Sequence, residues 1–206
     1  MSVINGIVVA TKNEGKLREI KAILKDLNIN ILSLNDFDDI GEVEENGFSF
    51  YENALIKAKA VYKVTNLPTL ADDSGLCVEF LDGMPGIFSA RFAADSINLS
   101  SGNTDDEKNN DKLLNLMKGL PHEERRAYFK CAMVLMYAED IYITASGKLH
   151  GYIADEKRGT NGFGYDSVFY LPDSKMNSAE ISPDEKNKIS HRFKALLEIK
   201  KKLENI

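Results

Sequence analysis

Two hydrophobic periods take turns along this chain, and the switches between them predict a succession of strands and helices. Residues 6–10 are a short β-branched run that ends in Thr11-Lys12-Asn13-Glu14-Gly15-Lys16, after which Leu17, Ile20, Leu24 and Leu27 recur at helical spacing. That order reads strand, loop, helix. Residues 29–34 read as a second strand, since the intervening helix lets the chain return alongside the first, as a parallel crossover requires. An acidic loop over residues 36–47 leads to Ser49-Phe50-Tyr51-Glu52, which has the form of a capping box and predicts a helix through Val64.

Leu67-Pro68 ends that helix, and Thr69-Leu70-Ala71 predicts a short strand running into Asp72-Asp73-Ser74-Gly75, with a further strand over residues 76–80. The carboxylates are thus expected at a break in a sheet. The polar stretch 95–110 reads as a loop leading into a helix over residues 112–118. Residues 126–137 and 141–149 are long strand-like runs, and the Glu139-Asp140 break between them predicts a hairpin, so the sheet is mixed. A glycine-rich loop over residues 158–166 precedes one more strand, 167–171. The chain closes with helix: Ser182-Pro183-Asp184-Glu185 again has capping-box form, and Ile189, Phe193, Leu196, Leu197 and Leu203 supply an apolar stripe. The fold class is α/β, expected as a single domain over residues 1–206.

At 206 residues and 43% hydrophobic content, the chain can bury a sizeable core in one folding unit or two closely joined lobes. A formal net charge of -6 suits a soluble protein and is poor for gripping a polyanionic duplex, so a nucleic-acid polymer is not expected as partner. Cys77 and Cys131 are far apart, sit in apolar runs and show neither metal-ligand nor redox spacing, which predicts reduced, structural thiols. No stretch approaches the ~18 apolar residues of a membrane span and no signal peptide is legible, so a cytoplasmic location is expected.

Four segments could carry chemistry. Residues 11–16 stand where a strand hands over to a helix, so free backbone N–H groups and the helix dipole can face an anion, with Lys12 and Lys16 adding charge. A plain helix start has the same appearance, and Ala10 and Leu17 exclude a Walker A loop. Asp72-Asp73-Ser74 offers a hard oxygen ligand for magnesium and a base for water. An isolated Asp-Asp-Ser-Gly is usually a solvated turn, but a turn of that kind does not need doubled charge between two apolar strands. Glu44 and Glu45 could add a metal ligand, or simply favour the dipole of the next helix. Phe163-Gly164-Tyr165-Asp166 combines ring faces, close backbone approach and a carboxylate, although a connecting turn is a serious competitor. In Lys186-Asn-Lys-Ile-Ser-His191-Arg192, Lys186 and Arg192 point apart on an uninterrupted helix of ~3.6 residues per turn, so joint use needs a kink near Ser190.

The order of these segments says more than any one of them. Thr-x-Asn-x-Gly-Lys, Phe-x-Glu-Asn-Ala at residues 50–54, Ala-Asp-Asp-Ser-Gly-Leu, Pro-Gly-Ile-Phe-Ser-Ala-Arg, Gly-Phe-Gly-Tyr-Asp and Ile-Ser-His-Arg follow one another from Val8 to Leu197. Together they resemble the inosine triphosphate pyrophosphatase family, the dITP/XTP or non-standard purine nucleotide pyrophosphatases. The section 95–149 carries little of the resemblance.

The resemblance implies an elongated, two-lobed α/β fold around a long mixed sheet with flanking helices, the active cleft between the lobes, usually as a homodimer. It implies hydrolysis of dITP, ITP or XTP to the monophosphate and pyrophosphate with Mg2+. Residues Thr11, Lys12, Asn13, Glu14, Gly15 and Lys16 would form the triphosphate loop. Glu44 and Asp73 would hold magnesium, Asp73 would also accept the proton of the attacking water, and Ser74 would touch substrate. Phe163, Gly164, Tyr165, Asp166, Lys186, His191 and Arg192 would bind nucleotide, the aromatic loop and the His-Arg pair nearest the base. Ser89 and Arg91 are carried as pocket residues. Two rivals stand beside this reading: a pyrophosphatase for pyrimidine or guanine nucleotides like the Maf-like proteins, and a nucleotide-sensing module that binds without hydrolysis.

Overall fold

Residues 6–25, 29–37, 40–41, 43–94 and 106–203 are described by the computed structural model. Leu27, positions 38, 39 and 42 of the acidic loop and most of the polar stretch before the third helix lie outside the described residues. The strands are β1 (Gly6–Val9), β2 (Asn30–Ser33), β3 (Thr69–Val78), β4 (Arg126–Ala138), β5 (Ile141–Ile153), β6 (Phe169–Leu171) and β7 (Met176–Asn177). The described α-helices are α1 (Glu14–Leu24), α2 (Phe50–Thr65), α3 (Asp106–Leu116), α4 (Pro183–Ile189) and α5 (His191–Leu203). The strands form one sheet in the order β2-β1-β3-β4-β5-β6-β7.

The sheet is mixed, as the alternation of crossovers and hairpin predicts. Strand β1 runs parallel to β2, with Val8 opposite Leu32, and parallel to β3, with Val9 opposite Leu70. Strands β4 and β5 are neighbours joined by Glu139 and Asp140 alone, a link that only an antiparallel pair allows. Asp140 takes the left-handed conformation at φ 54° that such a tight turn requires. Strand β6 is antiparallel to both β5 and β7.

The chain divides into two compact units, one comprising Met1–Ser74, Cys131–Lys148 and Ser190–Ile206, the other Gly75–Lys130 and Leu149–Ile189. In the first unit, Leu17, Ile20, Leu24, Ala195, Leu196 and Ile199 from α1 and α5 cover one sheet face with Ile7, Val9, Leu70, Met133 and Leu135. Ala54, Ala58 and Val61 of α2 pack on the other face with Val8, Ala10, Ala71, Val134 and Met136. Successive strand residues therefore feed opposite cores, the period of two expected of a strand covered on both faces. The core of the second unit is built from Leu76, Val78, Leu113, Met117, Phe129, Ile153, Val168, Phe169 and their neighbours.

The structure departs from the sequence expectation in three places. Strand β3 is not interrupted at Asp72-Asp73-Ser74 but continues through it for ten residues. A buried carboxylate breaks a strand only when it lacks a partner, and here both have one, as the site geometry shows. Helix α3 begins at Asp106, not near Lys112, because its polar Asn109 and Asn110 are buried and bonded rather than solvated. Strand β7 carries no legible signal in its two residues. The kink that joint use of Lys186 and Arg192 requires is present: α4 ends at Ile189, and Ser190 Oγ accepts from Phe193 N at 3.0 Å to start α5.

Gly147 of β5 sets how closely that strand meets the first turn of α5. A Cβ at this position would stand 2.1 Å from the backbone carbonyl oxygen of His191. Gly147→Ala must displace backbone at the start of α5, and a loss of about 1–3 kcal/mol is expected, read as a lower urea midpoint with an unchanged slope.

Candidate functional site

Strand β3 delivers two adjacent carboxylates to opposite faces of the first unit. Leu70 joins the α1 and α5 core and Ala71 the α2 core, so Asp72 follows Leu70 and Asp73 follows Ala71. On the first face, Asp72 Oδ2 lies 3.1 Å from Lys16 Nζ of α1 and 3.4 Å from Arg192 Nε of α5. Arg192 also pairs through Nη1 with Glu19 of α1 and donates through Nη2 to Ser74 Oγ at 3.0 Å. Ser74 Oγ in turn donates to Asp72 Oδ2 at 3.3 Å. On the second face, Asp73 Oδ2 accepts from Asn53 Nδ2 of α2 at 3.0 Å, and its Oδ1 accepts from Ser74 N at 2.9 Å. Lys57, one turn further along α2, places Nζ 3.9 Å from Asp73 Oδ1 and 3.1 Å from Glu45 Oε1.

These surroundings separate the two acids. Burial disfavours charge on Asp72, but Lys16 and then Arg192 and Lys57 outweigh it and hold the carboxyl well below the usual carboxylate range. For Asp73 burial is the largest influence and wins: its carboxyl is raised, against the opposing pull of Lys57 and Lys16 and with Glu45 adding to the rise. Asp72 is thus a fixed anion tied into an ion-pair lattice. Asp73 is the more basic of the two, and proton acceptance is the chemistry that suits it.

The loop ahead of α1 is arranged as a helix start with a charged rim. Asn13 Oδ1 caps the helix by accepting from Lys16 N at 3.0 Å, and Thr11 Oγ1 accepts from Asn13 N at 3.1 Å. Lys12 is exposed, Gly15 is half-buried, and Glu14 is exposed in the first helical turn. Lys16 turns back onto Asp72.

A second cluster lies in the other unit around the glycine-rich loop. Asp166, 3% exposed, accepts from Phe163 N at 2.9 Å and Lys186 Nζ at 2.7 Å through Oδ2, and from Ser178 Oγ at 2.8 Å through Oδ1. Gly162 sits at φ 81°, and a Cβ there would meet Asp166 Oδ2 at 2.1 Å, so only glycine closes this turn. Lys186 Nζ stands 4.8 Å from the centre of the Phe163 ring, a cation over an aromatic face. Tyr165 is buried, and its hydroxyl donates to the Ser89 carbonyl at 2.9 Å. Ser89 is itself a brace: its Oγ donates to the Gly86 carbonyl at 2.6 Å and accepts from Leu76 N at 2.9 Å. Arg91 lies over the Phe88 ring at 5.4 Å.

Comparison with known proteins places the chain. Residues 7–202 match the Ham1 family. A dITP/XTP pyrophosphatase of Geobacter sulfurreducens is 49% identical over 194 residues, covering 94% of this chain and 94% of the relative. The dITP/XTP pyrophosphatase of Bacillus subtilis is 42% identical over 204 residues, covering 99% of this chain and 100% of the relative. The chain belongs to the Ham1 family. Its fold agrees with that of a HAM1 protein from Coxiella burnetii at TM-score 0.85 and 39% identity, covering 98% of this chain and 99% of that one. The Staphylococcus aureus Ham1 protein gives TM-score 0.83 at 38% identity, covering 97% and 98%.

Within this Ham1 chain the donor set near Asp73 fits a magnesium ion. Lys57 Nζ marks a point on which Glu45 and Asp73 converge. On the Asp73 face two carboxylates, Glu45 and Asp73, stand against one cation, Lys57, leaving one negative charge in excess. No group of three or more His, Cys, Asp or Glu side chains forms a closed cage among the described residues. Magnesium suits such an open set, because it commonly binds through one or two carboxylates and completes its shell with water and phosphate oxygens. Glu45 is the acidic neighbour of Lys57 and Asp73, whereas Glu44 is exposed.

Arg192 and His191, which the resemblance places nearest a base, stand together at the start of α5. Both are buried in the first unit, and the Arg192 guanidinium engages Glu19, Asp72 and Ser74. Sequence reasoning missed Asn53, Lys57 and Glu19. A signal for the first was available: Asn53 interrupts the buried stripe Phe50, Ala54, Ala58 and Val61 of α2, and Lys57 follows it at the four-residue spacing that shares a helix face. For Glu19 there was none, since a half-buried acid on an amphipathic helix looks like surface charge.

Proposed function

We propose that this chain hydrolyses non-standard purine nucleoside triphosphates, dITP, ITP and XTP, to the monophosphate and pyrophosphate with Mg2+, and so cleanses the nucleotide pool. In this reading it acts as one pyrophosphatase domain over residues 1–206, as a cytoplasmic homodimer that binds neither nucleic-acid polymer nor membrane. The observation that carries the reaction is Asp73: a buried carboxylate held by Asn53, raised by its burial, with Glu45 and Lys57 beside it. The relatives named dITP/XTP pyrophosphatase support the substrate class, and no helix among the described residues is long and apolar enough to cross a membrane.

Asp73 and Glu44 would ligate the metal, and Glu45, which stands beside Lys57 and Asp73, is the alternative to Glu44. When bound, magnesium would offset phosphate charge and polarise the phosphorus under attack. Asp73 takes the proton of water as the water oxygen bonds to the α-phosphorus, the bond to the bridging oxygen breaks, and pyrophosphate leaves. Lys12, on the exposed rim of α1, and Lys16 supply positive charge to the departing phosphates, Lys57 adds a fixed charge beside Asp73, and free N–H groups of the first turn of α1 favour an anion. Lys16, Ser74, Asp72 and Arg192 fix the strand that carries Asp73.

For the base, Phe163 offers a ring face for stacking. Donors of its loop and Lys186 suit a purine 6-keto oxygen. Adenine presents an amino group there and would leave a donor unpaired, which costs about 1–3 kcal/mol per group.

Pyrophosphate release from dITP, XTP, ATP, GTP, dGTP and dTTP, with magnesium and with EDTA, tests the reading. Magnesium-dependent cleavage confined to dITP and XTP is the expected result. Cleavage of dTTP or GTP instead would favour the pyrimidine or guanine pyrophosphatase, and ligand-induced stabilisation without release from any of them would favour a sensing module.

A further inference from the structure

Helix α3 lies outside every motif that carries the family resemblance, yet it holds the Phe163 loop at two points. At the first, Asp106 Oδ2 accepts from Gly164 N at 2.6 Å while Asn110 Nδ2, one turn on, donates to the Gly164 carbonyl at 3.0 Å and to Ser167 Oγ at 3.3 Å. The peptide groups on both sides of the Gly164 α-carbon are therefore gripped by side chains four residues apart on one helix face. At the second, Lys157 Nζ bridges Glu107 Oε2 at 2.5 Å and Asp111 Oδ1 at 2.6 Å, residues that are again four apart.

The chemistry of the helix is unusual for a surface element and matches this task. Asn110 is 2% exposed, and its Oδ1 has no hydrogen bond despite its burial, an arrangement that costs stability and needs a return elsewhere. Gly164 has φ 62° and open space where a Cβ would stand, so its conformation is imposed by what its N–H and carbonyl bond to, not by crowding. Asp166 secures the loop from its own side through Phe163 N. The ring of Phe163 is thus held between an internal anchor, Asp166, and an external one, α3.

We propose that Asp106 and Asn110 are positioning residues for base recognition: they set the Gly164 peptide planes, and with them the angle at which Phe163 and its neighbouring N–H groups meet the purine. The inference rests on the proposed role of the Phe163 loop in binding the base. Neither residue touches reacting atoms, so their loss acts on binding and selectivity and not on the phosphoryl chemistry.

Asp106→Ala is the cleaner test, because Asp106 is exposed and its removal leaves the core of α3 intact. Losing one charge-assisted hydrogen bond to the loop is expected to raise KM for dITP about tenfold with kcat within about twofold, and to narrow the preference for dITP over dATP. Asp106→Asn keeps an acceptor and should restore most of the affinity, a rescue that a merely structural role for the helix would not produce. Asn110→Leu, of similar volume, should shift KM in the same direction while the melting temperature stays level or rises, since it also removes the orphaned oxygen. Affinity for dIMP, measured by calorimetry, carries the same comparison without turnover. An unchanged KM, preference and dIMP affinity in Asp106→Ala, with the native chain cleaving dITP, would overturn the positioning role and leave the proposed reaction standing. A native chain that neither cleaves dITP nor binds dIMP would overturn both.

Discussion

Asp73→Asn is expected to lower kcat for dITP by about 10²- to 10⁴-fold while the protein melts at the same temperature as the native chain or higher. The loss follows from removing the proposed proton acceptor and proposed metal ligand. The thermal result follows from the environment of the side chain. Asparagine has nearly the same shape, its Oδ1 can still accept from Asn53 Nδ2 while its Nδ2 forfeits the bond from Ser74 N, a loss that the relief of buried charge offsets, and Lys57 keeps its partner Glu45. Burial raises the Asp73 carboxyl, so its folded value lies above the unfolded one, and stabilisation from that group is present at low pH and lost as pH rises through the folded value. At neutral pH the ionised form therefore works against the fold, and a neutral side chain removes that cost. Pyrophosphate release and a melting curve on the same sample check both halves. Near-native turnover would remove Asp73 from the role of base, and a markedly lower melting temperature would mean that its charge is held more favourably than its burial implies.

Arg192→Met carries the largest expected effect on stability. Arg192 is 1% exposed, and its guanidinium joins α5 to Asp72 of β3 and Glu19 of α1. Methionine fills much of the space but leaves Asp72 and Glu19 without this partner, and breaking a buried pair from one side costs about 3–5 kcal/mol. In a chain of this length that corresponds to a fall of about 10 °C in melting temperature. Urea unfolding with an unchanged slope is the measurement, and a loss below about 1 kcal/mol would show that Lys16 alone suffices for Asp72. The same lattice predicts a pH dependence. The Asp72 carboxyl is depressed below its unfolded value of 3.8, so its stabilisation is fully present above that value and is lost as pH falls towards the folded one. Native protein should thus lose stability on acidification below about pH 4, and Arg192→Met, whose Asp72 is less depressed, should lose less of it over that range.

Activity and stability meet in strand β3. Asp72, Ser74 and Arg192 form a rigid lattice, and Asp73, the proposed base, stands one residue from Asp72. A single peptide unit separates a carboxylate kept charged from one kept basic, and the period of a strand is what assigns each to its own helix partners.

Much of this was legible in the residues themselves. The β-branched run before Thr11, the apolar stripe of Leu17, Ile20 and Leu24, the capping Ser49 and the tight Glu139-Asp140 break are local signals, and local signals set local structure because each depends on neighbours within a turn or two. The need for a break near Ser190 was also legible, since helix geometry alone forbids Lys186 and Arg192 from sharing a face. Tertiary structure decided what depends on partners distant in sequence. Whether Asp72-Asp73 ends a strand or lies inside one turns on Lys16, Asn53, Lys57 and Arg192, which come from three different helices. Whether Asp106-Glu-Lys-Asn-Asn110 is a loop or a helix turns on Gly164 and on the backbone after Ala90, where Asn109 Oδ1 accepts from Ala93 N at 2.7 Å. A polar residue declares its cost in the sequence but not its compensation. The desolvation of a carboxylate or an amide is a property of the side chain, whereas the charge or donor that offsets it arrives only when the chain has folded.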